Sequence, residues 1–107
     1  NPSLARFQDA LHPAVLRIVA TVIAGARAAG IAVAVCGELA GDPAGALVLA
    51  GLGVDELSAD AGSLDGVRAA LAGATAAELG VLAARSLAAT DAETVRAYAN
   101  ELLRTQG

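Results

Sequence analysis

A cysteine, a glycine and a glutamate stand in a row at positions 36, 37 and 38, at the end of a short apolar run and just ahead of Asp42-Pro43. A thiol ordinarily keeps its proton at neutral pH, so it can serve as a positioned proton donor. Gly37 lets the backbone turn sharply and lets a ligand come close. Glu38 can orient a neighbour or accept a hydrogen bond. No lysine or histidine is adjacent to Cys36, and Glu38 and Asp42 disfavour added negative charge, so a proton donor fits better than a thiolate nucleophile. The competing reading is a small buried hydrophobe, the usual role of a lone cysteine at a strand end. Residue types alone leave both open.

Other chemistry finds less support. Cys36 is the only cysteine and His12 the only histidine, and the pair supplies no metal-ligand set. Thiol redox chemistry has no resolving cysteine. His12 precedes Pro13 and reads as the start of a helix. Arg6 and Arg17 read as solvated helix charges. Asp55 and Glu56 open a second apolar segment and are read as structural.

The whole composition narrows the class. The 107 residues carry seven arginines, no lysine and eleven carboxylates, a net charge of −4. The arginines are scattered, which argues against a nucleic-acid surface. A single cysteine makes no internal disulfide, in keeping with a reducing cytoplasmic setting. No apolar run reaches the roughly 18–20 residues that cross a bilayer, so no membrane insertion is expected. The first residue is Asn1 and no leader pattern is present, so the chain reads as an excised piece of a longer product.

The elements that must place Cys36 follow from periodicity and punctuation. After a lead-in over 1–12, Val15, Leu16, Val19, Val22, Ile23 and Ala26 recur at helical spacing, giving a helix over 13–29 stopped by Gly30. Residues 31–36 read as a strand buried on both faces, followed by a turn, GELAGD. Asp42 caps and Pro43 opens a short apolar helix over 43–52, with Gly51 and Gly53 marking its end. A second strand is expected over 54–58. Ser63 opens a helix over 63–73 that Gly73 ends. Thr75 with Glu78, and Thr90 with Glu93, have capping-box spacing and predict helices over 75–88 and 91–104. This is one helix-rich α/β unit over 1–107 built on a βαβ crossover. It is too short for a complete parallel barrel, which takes about 250 residues and eight strands. Its open sheet edges need cover from helices or another chain.

CGELAGDP, followed by LVLAGLGVDELS, resembles the C-terminal part of enzyme I of the bacterial phosphoenolpyruvate:sugar phosphotransferase system. The similarity extends backward through NPSLARFQDALHPAVLRIV and is weaker after Gly73. Pyruvate phosphate dikinase and phosphoenolpyruvate synthase share the Cys-Gly core, but the continuation matches enzyme I better. Ser58 to Asp60 departs from the family, which more often has a bulkier residue after the serine.

The resemblance implies the C-terminal part of a (β/α)8 TIM barrel that binds phosphoenolpyruvate and dimerises. It implies transfer of the phosphoryl group to a histidine in a separate domain and then to HPr, in the service of sugar uptake. It makes Cys36 the general acid toward the methylene carbon of enolpyruvate, with Gly37 and Glu38 on the active-site loop. The phosphate-binding arginines and the ligands of Mg2+ would lie earlier in such a protein, so this chain alone is expected to bind no metal and to be inactive. A non-catalytic association module, a homodimer or a larger assembly, is the alternative.

Overall fold

The computed structural model of the chain describes residues 10–106, so most of the expected lead-in, and Arg6 with it, lies outside the described residues. Helix α1 (Pro13–Ala28) starts as the His-Pro pair predicts: His12 is the N-cap, and its Nδ1 accepts from the Ala14 N–H at 3.1 Å. It ends in a Schellman turn. Gly30 takes φ +71°, its N–H reaches the Arg27 carbonyl at 3.1 Å, and the Ile31 N–H reaches the Ala26 carbonyl at 2.8 Å. Leu16 and Ile23 face inward, but Val22, expected on the same stripe, is exposed.

Two short strands follow the expected order. β1 (Ala34–Cys36) and β2 (Glu56–Ser58) run parallel, with Ala34 opposite Glu56, Val35 opposite Leu57 and Cys36 opposite Ser58. The start of the ladder is clipped by Asp55, whose Oδ2 accepts the Val33 N–H at 2.7 Å. That gives the carboxylate the structural role expected of it. The expectation of a strand buried on both faces is not met. Ala34 and Cys36 on one face of β1 are exposed, as are Glu56 and Ser58 of β2, and only Val35 and Leu57 are half-buried. Two strands have no second layer to cover that face, so apolar content alone misjudges burial here.

Between the strands stand two helices rather than one. The segment expected as a turn forms a single helical turn, α2 (Glu38–Gly41), before α3 (Pro43–Leu52). Asp42 caps α3 through Oδ1, which accepts from the Ala44 N–H at 3.2 Å. Helix α3 is apolar all round and is accordingly the centre of the core, with Ala44 through Leu49 all buried. Full burial of a leucine such as Leu47 or Leu49 contributes about 1.5–3 kcal/mol, against about 1 kcal/mol for a typical helix cap.

Gly51 does not mark the end of α3 as expected. It lies inside the helix, where a Cβ would collide with the Leu79 carbonyl oxygen on α5 (Ala76–Ala88). The small residue lets the two helices touch backbone to backbone. Gly53, at φ +104°, is the actual stop.

Helix α4 (Ala61–Ala72) begins two residues before the expected Ser63, because Asp60 caps it by accepting from the Ser63 N–H at 3.0 Å. The Thr75–Glu78 capping box forms in full, with both reciprocal bonds present at 2.9 and 3.1 Å. The Thr90–Glu93 pair does not act as a box. Asp91 caps α6 (Ala92–Thr105) instead, accepting the Thr94 N–H at 2.8 Å. A carboxylate one position later competes for the same orphan donors and wins. Helices α4, α5 and α6 pack around α3, and α1 leans on α5. Arg85 on α5 stacks 3.8 Å over the Tyr98 ring of α6.

Candidate active site

The parallel ladder sends its C-terminal ends to one side of the molecule, where the loops after β1 and β2 meet. Cys36 is the last residue of β1 and is an exposed free thiol. Within this chain it is not packed among leucines, as a buried hydrophobe would be. The next residue, Gly37, takes φ +109° and ψ −165°. Only glycine occupies that region without strain. No atom lies within 4 Å of where a Gly37 Cβ would stand, so the requirement is torsional and not a matter of space. The turn redirects the chain at once into α2.

An open cleft of about 520 Å³ lies between the two loops, and Gly37, Glu38, Asp42, Ser58, Asp60 and Ser63 all contribute to its wall. Cys36 is adjacent to it: Gly37 on the wall is its chain neighbour, and Ser58 on the wall is its ladder partner. Cys36 and Ser58 therefore project from the same exposed face. The structure brings together the three expected residues Cys36, Gly37 and Glu38, and adds Ser58, Asp60 and Ser63. Ser58 was legible as the end of the second strand. Asp60 and Ser63 were not, because their places depend on where α4 begins.

The wall is acidic. Glu38, Asp42 and Asp60 contribute carboxylates, and no arginine lines the cleft among the described residues. Asp42 is already engaged, since its Oδ2 accepts from Arg96 Nη1 at 2.8 Å. Among the described residues no three His, Cys, Asp or Glu side chains converge as a metal site. The described residues of this cleft therefore do not fit a Mg2+ ion.

Apart from the site, the chain is similar along its length to known proteins. Residues 1–76 match the family of the PEP-utilising enzyme, PEP-binding domain. The chain belongs to the PEP-utilising enzyme family. Relatives continue the match past residue 76. A multiphosphoryl transfer protein of Rhodobacter capsulatus is 49% identical over 96 residues, covering 90% of this chain and 12% of the relative. A phosphoenolpyruvate-protein phosphotransferase of Streptomyces coelicolor is 46% identical over 101 residues, covering 94% of this chain and 18% of the relative. A phosphoenolpyruvate-dependent phosphotransferase system protein of Escherichia coli is 37% identical over 107 residues, the whole of this chain and 14% of the relative. The chain thus spans less than one fifth of the curated relatives it matches. It supplies the acidic cleft, the thiol and the helices behind them. Among its described residues no single helix is long and apolar enough to cross a membrane.

Proposed function

We propose that this chain is the part of a cytoplasmic phosphoenolpyruvate-protein phosphotransferase that carries the acid catalyst, Cys36. The names of its relatives support the phosphotransferase reading over a dikinase or a synthase. The single observation that carries the role of Cys36 is its exposure at the C-terminal end of β1, beside the cleft. In parallel α/β architectures, and in the (β/α)8 barrel to which this unit would contribute its last strands, chemistry gathers at that end.

The reaction divides into two steps. The bond between phosphorus and the enol oxygen breaks, and the phosphoryl group passes to a histidine elsewhere in the protein and then to HPr. The enolate left behind is nucleophilic at its methylene carbon. Cys36 gives its proton to that carbon, a C–H bond forms, and pyruvate leaves; the thiolate recovers a proton from water. The thiol must be neutral because the thiolate has no proton to give, and holding it over one face of the planar enolate speeds an otherwise slow transfer to carbon. Gly37 turns the chain away so that the thiol stays open, and Glu38 stands on the loop that meets the substrate.

The same cleft argues that this chain acts only as part of a larger protein. Phosphoenolpyruvate is a polyanion, and a wall holding Glu38, Asp42 and Asp60 without an arginine repels it. The isolated chain, given phosphoenolpyruvate and Mg2+, forms no pyruvate in this reading. In the whole phosphotransferase, Cys36→Ala lowers pyruvate formation about 10²–10⁴-fold, the usual worth of a general acid, while phosphoryl exchange with HPr stays within twofold. Equal losses in both reactions would make the thiol structural and end this reading.

A second reading is favoured by exposed apolar residues on the α1 side. Ile18, Val22 and Ile31 are 65%, 56% and 62% exposed. Ile18 and Val22 stand one helical turn apart on α1, and exposed apolar residues that share a face can serve association. The chain would then persist as a homodimer or larger assembly, and sedimentation of the purified chain as a monomer would eliminate it.

A further inference from the structure

The thiol sits at one end of a short arc, Cys36 to Asp42, and what holds the other end lies far away in sequence. We propose that Arg96, on the last helix, is a positioning residue for the proton-donor loop, acting through Asp42; this rests on the reading of the cleft as the phosphoenolpyruvate-converting site.

The arc is one helical turn, closed by backbone bonds from the Gly41 N–H to the Gly37 carbonyl at 3.3 Å and from the Asp42 N–H to the Leu39 carbonyl at 3.2 Å, and it needs anchors at both ends. At its near end the β1–β2 ladder fixes Cys36, and Gly37 then turns the chain. In the middle, Ala40 is buried, and Gly41 approaches α4 so closely that a Cβ there would stand 3.1 Å from the Ser63 Cβ. At the far end both oxygens of Asp42 are committed. Oδ1 accepts from the Ala44 N–H and starts α3, while Oδ2 accepts from Arg96 Nη1 at 2.8 Å, across 54 residues of sequence. Helix α3 is the rigid centre of the core, and Asp42 is the joint between it and the arc. Arg96 presses that joint against α6.

The pair has an electrostatic consequence as well. Asp42 is on the cleft wall with Glu38 and Asp60. The Arg96 guanidinium on Oδ2 offsets one of those three negative charges, which lessens the repulsion of a polyanion by the wall. Positioning and charge therefore point the same way.

The side chains of Arg96 and Asp42 are 39% and 34% exposed. An ion pair in contact with water contributes little to overall stability. Removing Arg96 should therefore disturb the arc without unfolding the molecule, and the two effects are separable by experiment.

In the whole phosphotransferase, Arg96→Ala is expected to slow pyruvate formation about tenfold, the scale of a small misplacement of a catalytic group. Phosphoryl exchange with HPr should change by less than about twofold, as for Cys36→Ala, because that exchange does not use the thiol. Arg96→Lys should recover most of the rate, since an ammonium reaches Asp42 as a point charge. In the 107-residue chain, amide hydrogen exchange over residues 37–44 should quicken in Arg96→Ala while α5 keeps its protection. The proposal is overturned if Arg96→Ala turns over like the wild type while Cys36→Ala does not, or if exchange rises equally in every helix. If Cys36→Ala itself turns over normally, the reading of the cleft fails and this inference goes with it.

Discussion

Cys36 and Ser58 stand opposite each other in the parallel ladder, each the last residue of its strand and each exposed. Side chains alternate across a strand, so a register shift by one residue would turn Cys36 to the half-buried face that Val35 and Leu57 occupy. The ladder register, rather than the cysteine itself, decides that the sulfur is available.

That arrangement makes the accessibility of the thiol measurable. In the native chain Cys36 should react with iodoacetamide to completion, at a rate within about tenfold of the urea-unfolded chain, as expected of an exposed free thiol. A native rate slower than this by several orders of magnitude would mean that the sulfur is covered.

Two glycines should fail for different reasons. Gly37→Ala meets open space but an unfavourable backbone conformation, and it should cost about 1–3 kcal/mol. Gly51→Ala has ordinary helical torsions, and the change gains about 1 kcal/mol of helix propensity. Its new Cβ collides with the Leu79 carbonyl oxygen, a backbone atom that cannot rotate away, so the net effect should be a loss of about 1–3 kcal/mol. Urea denaturation of both variants checks this; a Gly51→Ala protein as stable as the wild type would show that α3 and α5 do not touch there.

The two threonines with capping-box spacing should behave unequally. Thr75→Ala removes a working cap and should cost about 1 kcal/mol. Thr90→Ala should be nearly neutral, and Asp91→Ala should carry the loss instead, because Asp91 is the cap of α6. Thermal melts of the three variants separate the cases.

Ser86 is fully buried on α5, and its Oγ has no hydrogen-bond partner among the described residues. An unsatisfied buried hydroxyl costs about 1–3 kcal/mol. Ser86→Ala removes that cost at almost constant volume and should raise the urea midpoint. A lower midpoint would mean that the hydroxyl finds a partner after all.

The positions of the elements were readable because their signals are local. His12-Pro13 and Gly30 bracket α1, Asp42-Pro43 opens α3, and the Thr75–Glu78 spacing opens α5, each through a bond made within a few residues. The structure departs from that pattern where two local signals compete. Asp60 caps in place of Ser63, Asp91 caps in place of Thr90, and Gly51 serves a helix contact and not a helix stop. Spacing cannot rank two good caps that stand one residue apart, as Thr90 and Asp91 do, or three apart, as Asp60 and Ser63 do, and nothing around Gly51 in sequence points to Leu79.

By itself the sequence determined the order of the two strands and the five longer helices, the Cys-Gly-Glu motif after the first strand and the membership of the family, since these depend on residue types and short spacings. Only the tertiary structure decided that one face of the strands lies open, that Ser58, Asp60 and Ser63 join Gly37 and Glu38 around one cleft, and that Arg96 grips Asp42. The physical reason is distance along the chain: burial and long-range ion pairs depend on which surfaces the packed helices bring together, and residues 54 positions apart carry no local mark of their meeting.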